Sequence, residues 1–166
     1  MMERKKSILL VDDDKAILTS FRELLMRKGY DADTAGTGRQ ATDKAIAKVY
    51  DLVIIDMKLP DMEGTELLAR FHRNYPRPKK IIVTGYPTMQ NAIDSVNLQA
   101  NAYLVKPVNP EEFLRVVDEV IREHSEEQEI TKEKVTHWAA GRDRKAREKP
   151  QPPSQTRSES GEEETK

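Results

Sequence analysis

The sequence has no cysteine, and this absence removes several kinds of chemistry at once. Without thiols the chain can form no disulfide, no thiolate zinc site and no cysteine nucleophile. An excess of one charge is also missing, because 28 lysines and arginines face 29 aspartates and glutamates, which gives a net charge of −1. The molecule as a whole therefore has no electrostatic preference for nucleic acid or for an anionic membrane. Partners and chemistry must be inferred from particular sites.

Long hydrophobic runs are absent as well. The charged N-terminus, MMERKKS, runs into only four apolar residues, which is too few for the core of a signal peptide. No stretch approaches the length of a membrane-spanning segment. We expect a soluble, cytoplasmic protein that does not contact membranes.

The composition changes near residue 124. Residues 1–123 hold nearly all of the periodic apolar positions, and we expect them to form one domain with an ordinary core. Residues 124–148 are rich in charged helix formers, which predicts a helical extension of the last helix of that domain. Residues 149–166 have too few apolar side chains to offset chain entropy, so we expect a disordered tail.

Five short β-prone runs alternate with helical patterns along the domain. Four of these runs are mainly apolar, which is typical of parallel strands covered on both faces, whereas the run at 31–35 is polar and fits an edge strand. Five strand and helix units in about 120 residues predict a doubly wound α/β sandwich. The predicted strands are 8–11, 31–35, 52–55, 81–83 and 102–105.

Apolar stripes at helical spacing mark the helices between these strands. Gly29 is expected to end the first helix in a left-handed conformation, and Asn109 with Pro110 is expected to begin the fifth. Gln99 stands at an expected helix end where glycine would be more favourable. The four stripes are Ile17, Leu18, Phe21, Leu24 and Leu25; Ala41, Ala45, Ile46 and Val49; Leu67, Leu68 and Phe71; and Met89, Ala92, Ile93 and Val96.

Polar residues follow four of the strands at their carboxyl ends, where ligands bind in open α/β sheets. Three carboxylates there suit Mg²⁺, which prefers a few carboxylates, several waters and a phosphate oxygen. A hydroxyl and an ammonium opposite them would hold the other oxygens of a phosphoryl group. The pattern predicts a phosphate site. Its candidate residues are Asp12 and Asp13 after strand one, Asp56 after strand three, Thr84 after strand four, and Lys106 with Pro107 after strand five.

Four stretches that carry these residues together resemble the receiver domain of two-component response regulators. The resemblance covers residues 7–123, and its specificity comes from five motif positions that occur in the right order at the right strand ends. It implies a flavodoxin-like fold, a five-stranded parallel sheet of order 2-1-3-4-5 with five helices. The stretches are Asp12-Asp13, Asp56 within IIDMKLPDMEG, Thr84-Gly85, and AYLVKP at 102–107.

The resemblance implies a phosphorylation-dependent signalling switch. Asp56 would accept a phosphoryl group from a sensor histidine kinase or a phosphotransfer protein, as carboxylates do in other enzymes. Asp12, Asp13, Asp56 and the backbone carbonyl of Lys58 would hold Mg²⁺ or Mn²⁺, and Lys106 would pair with the phosphoryl oxygens. The family further implies a cis peptide bond before Pro107. Such a domain catalyses its own phosphorylation and dephosphorylation and is not a multiple-turnover enzyme.

The resemblance also implies how the signal leaves the site. The Thr84 hydroxyl would turn towards the phosphoryl group, and the Tyr103 ring would fill the space that opens, which favours one packing of helix 4, strand 5 and helix 5. That face would bind a downstream protein, unless the domain relays its phosphate. Lys58 and Tyr86 stand where the family varies the phosphate lifetime, and we expect their bulk to slow self-hydrolysis.

Other predictions concern assembly and the C-terminal segment. We expect a stand-alone receiver that acts through protein contact, as a monomer or a phosphorylation-dependent dimer. The basic run at 142–147 is interrupted by an acid and followed by an acidic stretch, so we expect a solvated segment and no direct DNA binding.

Two other functions compete with the receiver. Asp12 and Asp14 satisfy the Asp-x-Asp that opens haloacid-dehalogenase-like Mg²⁺-dependent phosphatases, but Ala16 stands where those enzymes have threonine. The chain also lacks room for their substrate-capping insertion. The second competitor is a docking module that is never phosphorylated, against which the intact acids, threonine and lysine argue.

Several polar residues have simpler explanations. Asp14 is expected to cap the first helix, and Thr37 the second, although GTGRQ at 36–40 superficially resembles a phosphate loop. His72, His124 and His137 are expected on polar faces or in the C-terminal segment, and none is expected to bind a ligand or carry phosphate.

Overall fold

The computed structural model describes residues 3–147, with side chains as far as residue 140. Five strands alternate with five helices. The predicted tail at 149–166 and the side chains of the basic run at 142–147 lie outside the described residues. The elements are β1 Ser7–Val11, α1 Lys15–Arg27, β2 Asp31–Ala35, α2 Gly38–Ala47, β3 Leu52–Asp56, α3 Gly64–Asn74, β4 Lys79–Thr84, α4 Met89–Asn97, β5 Ala102–Val105 and α5 Pro110–Arg147.

All five strands form one parallel sheet in the order β2-β1-β3-β4-β5. The order reverses between β1 and β3, so the carboxyl ends of these two neighbouring strands lie beside the crevice where ligands bind in doubly wound sheets. In register, Val11 at the end of β1 pairs with Ile55, the residue before Asp56. The predicted fold and strand order are confirmed, and each predicted strand is matched to within two residues.

Apolar residues cover both faces of the sheet, because successive side chains of a strand point to opposite sides. Leu10, Ile54 and Val83 face one cluster, which includes Leu18 and Leu25 of α1 and Phe113 and Val117 of α5. Leu9, Val53 and Ile82 face the other, which includes Ala41 of α2 and Leu67, Leu68 and Phe71 of α3. Burying each large side chain contributes about 1.5–3 kcal/mol. The faces are thus filled, and the strand ends are left for chemistry.

Side chains cap the helices as the sequence predicts. Asp14 accepts hydrogen bonds from the amides of Ala16 and Ile17, and Thr37 accepts one from Gln40. Gly29 ends α1 with φ at +91°, a conformation that glycine adopts without steric cost. Asp14 is therefore engaged in the helix and is not part of the acid cluster.

Two of the four predicted helical stripes are wrong. In α2, Ala41 is buried but Ile46 is exposed, because the sheet-facing side of this short helix is formed by Gly38, Ala41 and Ala45. In α4 the buried residue is Ser95, and the large apolar residues of that stripe are exposed. The exposed members of the two stripes are Ile46, Val49, Met89, Ile93 and Val96.

The described residues fall into two units, and the division lies between Gln128 and Glu129. His124 is packed into the first unit with 4% of its surface exposed. The expectation that His124 lies on a polar face is therefore wrong. In the second unit the described residues 129–147 are helical, as part of α5. Among the described residues, no helix combines the length and apolar character that crossing a membrane requires.

Candidate functional site

Three carboxylates meet at the carboxyl edge of the sheet. Asp12 and Asp13 follow β1, and Asp56 ends β3. Because these strands are neighbours, one oxygen from each residue lies within 4.8 Å of the others. Asp12 and Asp56 are buried, and Asp13 is exposed. Close carboxylate oxygens of this kind match the hard oxygen donors that Mg²⁺ prefers, so the cluster fits a divalent cation.

Lys106 reaches the acid cluster from β5, two strands away from β3. Its Nζ lies 2.9 Å from Asp12 Oδ2 and 3.3 Å from Asp56 Oδ1. The Lys106 amide donates to the Thr84 carbonyl at 2.7 Å, which ties the start of the β5–α5 loop to the end of β4. The peptide bond from Lys106 to Pro107 is cis. One ammonium among three carboxylates leaves a net charge of about −2 when all are ionised, which a divalent cation would balance.

Burial and mutual repulsion set the protonation behaviour of the cluster. Desolvation and the neighbouring Asp12 carboxylate raise the pKa of Asp56 above its ordinary value, although Lys106 acts in the opposite direction. Burial alone would lower the pKa of Lys106, but its hydrogen bond to Asp12 and its attraction to Asp56 outweigh burial and raise it. Lys106 therefore stays charged, and it compensates the two buried acids only in part.

Thr84 is buried, and Tyr103 is partly buried. The Thr84 hydroxyl is buried and accepts a hydrogen bond from the Tyr86 amide at 3.0 Å. The Tyr103 ring packs against the cluster on the α2 and α3 side of the sheet. Its hydroxyl is buried and has no hydrogen-bond partner within the described part of the chain. A buried hydroxyl without a partner costs about 1–3 kcal/mol, so this packing of Tyr103 is not fully satisfied.

The loop between β3 and α3 folds back beside Asp56. Lys58 pairs with Glu63 in an isolated antiparallel bridge, and the Leu59 amide donates to the Met62 carbonyl at 3.1 Å. The Lys58 ammonium lies 5.3 Å from the centre of the Tyr86 ring, which joins this loop to the segment after Thr84. The residues expected at the site are therefore at or next to one rim of the sheet, except Tyr103, which pairs with Ile82 inside the sheet.

Comparison with known proteins assigns this arrangement to a family. The sequence model described as response regulator receiver domain matches residues 8–118. The chain belongs to this family. Proteins of the family generally bind Mg²⁺ at an acidic pocket, and the acid cluster of this receiver domain occupies the corresponding edge of the sheet. No finding supports the phosphatase that the Asp-x-Asp pattern suggested.

Individual relatives agree with the family assignment. The receiver domain is 36% identical over 111 residues to the alginate biosynthesis transcriptional regulatory protein AlgB of Pseudomonas syringae pv. tomato, covering 67% of this chain and 25% of AlgB. It is 33% identical over 102 residues to the transcriptional regulatory protein ZraR of Escherichia coli K12, covering 61% of this chain and 23% of ZraR. The chain thus spans about a quarter of the length of these relatives.

A solved structure shows the same fold. The crystal structure of a CheY-like response regulator receiver domain protein from Methanospirillum hungatei JF-1 is 44% identical in sequence and superposes with a TM-score of 0.73. The match covers 75% of this chain and 99% of that one. The receiver fold therefore accounts for three quarters of the chain.

Sequence reasoning missed two acids outside the cluster. Asp51, at the opposite edge of the sheet, accepts hydrogen bonds from the Ser7 amide and from Arg4, and it lies 3.7 Å from the His124 ring. Asp61, in the β3–α3 loop, accepts hydrogen bonds from the first amides of α2. A polar residue before a buried strand and an aspartate in a turn are both ordinary, so neither gave a signal.

Proposed function

We propose that Asp56 accepts a phosphoryl group from the phosphohistidine of a sensor histidine kinase or phosphotransfer protein. A carboxylate oxygen of Asp56 would attack phosphorus, the O–P bond would form as the N–P bond breaks, and the electron pair would return to the imidazole. The observation that carries this proposal is the position of Asp56, within 4.8 Å of two further acids and 3.3 Å from the Lys106 ammonium.

Asp12, Asp13, Asp56 and the backbone carbonyl of Lys58 would hold Mg²⁺ or Mn²⁺. A bound divalent ion neutralises charge that develops on the transferred group. Lys106 is tethered to both buried acids and would exchange part of this pairing for the phosphoryl oxygens. Because it remains protonated, it would bind them without a change in its own protonation state.

Thr84 and Tyr103 would transmit the change. The Thr84 hydroxyl accepts from the Tyr86 amide, so its own proton remains available to donate to a phosphoryl oxygen. The unpaired Tyr103 hydroxyl lowers the cost of moving the ring to a position where the hydroxyl meets water. Phosphorylation could then shift the balance between two packings of α4, β5 and α5 by its differential contacts with Thr84.

The same face would carry the output. Met89, Ile93 and Val96 lie exposed along α4, and Tyr86 and Val105 are exposed beside it. Exposed apolar side chains that lie together are typical of protein interaction sites. We expect a downstream protein target there, a cytoplasmic location, no direct DNA contact by this chain, and a monomer or a phosphorylation-dependent dimer. The chain would catalyse only its own phosphorylation and dephosphorylation.

Mass spectrometry after incubation with acetyl phosphate and MgCl₂ tests the proposal. The expected result is one Mg²⁺-dependent phosphoryl group on Asp56, lost in Asp56→Asn and retained in Asp94→Asn, which removes an acid of α4 that lies outside the acid cluster. Label on another residue, or uptake that does not depend on Mg²⁺, would contradict the proposal. Continuous hydrolysis of a phosphomonoester that depends on Asp12 would indicate the phosphatase, and no response to beryllofluoride with Mg²⁺ would indicate the docking module.

A further inference from the structure

The β3–α3 loop is anchored to the beginning of α2 by one side chain. Asp61 lies in the turn of this loop, and its two carboxylate oxygens accept hydrogen bonds from the amides of Gly38 at 2.9 Å and Arg39 at 3.0 Å. The first amides of a helix have no partner within the helix. Thr37 satisfies the amide of Gln40, so a residue 23 positions from Gly38 satisfies the two amides that Thr37 does not.

The residue after Asp61 makes a second contact with the same turn of helix. A Cβ placed on Gly38 would lie 2.4 Å from Sδ of Met62, so the Met62 side chain rests against the glycine with no space between them. The attraction between the Asp61 carboxylate and the positive end of the α2 dipole also favours holding the loop against the beginning of α2. The hydrogen bonds from the Gly38 and Arg39 amides lower the pKa of Asp61, which therefore remains ionised at neutral pH.

Fixing Asp61 also fixes Lys58. Asp61 is in the turn closed by the hydrogen bond from the Leu59 amide to the Met62 carbonyl, and this turn is flanked by the bridge between Lys58 and Glu63. At the other end the Met57 amide donates to the Val83 carbonyl at 2.9 Å. The Gly64 amide at the start of α3 also donates to the Met57 carbonyl, at 2.6 Å. The backbone beside Lys58 is therefore held by main-chain hydrogen bonds to β4 and α3 and by the Asp61 contact with α2, and of these three only the Asp61 contact depends on a side chain.

We propose that Asp61 is a positioning residue for phosphoryl transfer, which holds the β3–α3 loop on α2 so that the Lys58 carbonyl stays in place for the divalent cation. The inference rests on the proposed function, because it takes the Lys58 carbonyl as a ligand. Asp61 touches neither the phosphoryl group nor the cation, and it acts through the backbone of the loop. Removing such an outer partner weakens metal binding although the direct ligands remain.

The test is a titration of the full chain with MgCl₂, followed by the amide NMR signals of Asp56, Lys58 and Gly85. In Asp61→Ala we expect the dissociation constant for Mg²⁺ to rise about fivefold, somewhat less than when a buried outer partner is lost. Asp61→Asn keeps one oxygen that can accept from one of the two amides, and an intermediate constant is expected.

Two matched variants separate positioning from stability and from charge. Thr37→Ala removes the other cap of the same helical turn, so it should lower the melting temperature but change the Mg²⁺ constant by less than about twofold. Glu63→Gln removes a carboxylate from the same loop that makes no capping hydrogen bond, and it should also leave the constant within about twofold.

The outcomes are distinguishable. An unchanged constant in Asp61→Ala, or an equal rise in Thr37→Ala or Glu63→Gln, overturns the positioning role while the proposed function stands. Absence of Mg²⁺-dependent shifts near Asp56 in the unmodified chain overturns the proposed function itself and this inference with it. A selective rise in Asp61→Ala, with partial recovery in Asp61→Asn, supports the inference.

Discussion

The ammonium of Lys58, in the β3–α3 loop, lies 5.3 Å from the centre of the ring of Tyr86, which follows β4. Lys58 is two residues past Asp56, and Tyr86 is two residues past Thr84. The pair therefore joins the two segments between which water would approach a phosphoryl group on Asp56. A cation over an aromatic ring contributes about 0.5–1 kcal/mol at an exposed site, enough to bias the two side chains towards this joined position.

We predict that this pair lengthens the life of the aspartyl phosphate. Lys58→Ala or Tyr86→Ala should shorten the half-life about threefold, which corresponds to the energy of one exposed cation–π contact. The half-life can be measured by loss of phosphoprotein after removal of the donor.

The double variant provides the control for this prediction. If the two side chains act as one barrier, Lys58→Ala with Tyr86→Ala together should shorten the half-life little more than either change alone. Independent, multiplying effects would show that the two residues act separately, and unchanged decay in all three variants would remove the screening role.

When no cation is bound, the acid cluster should lower the free energy of unfolding. Burial and the Asp12 charge raise the pKa of Asp56, so the folded state binds a proton there more readily than the unfolded state. Near pH 7 the ionised side chain therefore destabilises the fold. Asp56→Asn should raise the free energy of unfolding by about 1 kcal/mol in urea without Mg²⁺, and excess MgCl₂ should reduce the difference because it stabilises the unmodified protein.

Asp33 is a control for which the opposite change in stability is expected, because its pKa is lowered by folding and that of Asp56 is raised. Burial would raise its pKa, but hydrogen bonds from Lys48 and Tyr50 outweigh burial and lower it, so its ionised form stabilises the fold. Asp33→Asn should therefore destabilise by about 1 kcal/mol at the same pH. If both variants shift stability in the same direction, the electrostatic account of Asp56 is wrong.

The first residue of α3, Gly64, lies too close to the backbone of Asp56 to carry a side chain. A Cβ on Gly64 would lie 2.4 Å from the carbonyl oxygen of Asp56 and 2.7 Å from Cα of Met57, and both atoms belong to the backbone of the site. Gly64→Ala should cost about 1–3 kcal/mol in unfolding free energy and reduce phosphate uptake, because the chain must move at Asp56. Chemical denaturation and the labelling assay measure the two effects.

Gly85 is the control position for the glycine-to-alanine substitution, because it has room for the added methyl group. It stands at the same rim, but a Cβ there would meet only the Lys106 side chain at 3.9 Å. Gly85→Ala should fold normally and retain uptake. Equal losses at both glycines would show that the rim tolerates no added methyl group, and the specific role of Gly64 would be lost.

The strands and the acid cluster could be predicted because their signals are local. The apolar run before Asp12 and the one before Asp56 each mark a buried strand, and a parallel sheet brings the carboxyl ends of such strands to one edge. The caps at Asp14 and Thr37 were predicted for the same reason, since both contacts span only a few residues.

The missed features depend on contacts between distant segments. An apolar stripe on α4 predicts that one face of the helix is apolar but does not say which face meets the sheet. Ser95 is the buried residue of α4, and Met89 lies exposed. Asp61 looks like an ordinary turn residue until α2 is placed beside it. His124 is buried next to Asp51, which lies 73 residues earlier in the chain, and the local sequence gives no sign of this contact.

The buried His124 should make stability depend on pH. Burial lowers its pKa, more than the nearby Asp51 carboxylate raises it, and Lys79, Lys6 and Arg77 act in the same direction as burial. The unfolded chain therefore takes up the proton first as the pH falls through about 6.5. The stability that neutral His124 contributes is fully present above that pH and is lost below it, towards the lower pKa of the folded state.

We predict that the unmodified chain loses more unfolding free energy than His124→Gln between about pH 7.5 and 5.5. Urea unfolding at each pH measures the difference. Carboxylates such as Asp33 and Asp61, whose pKa values are also lowered by folding, lose their contributions at lower pH in both proteins and cancel in the comparison. Parallel stability curves for the two proteins would mean that His124 is protonated as easily in the fold as outside it, and that Asp51 compensates its burial in full.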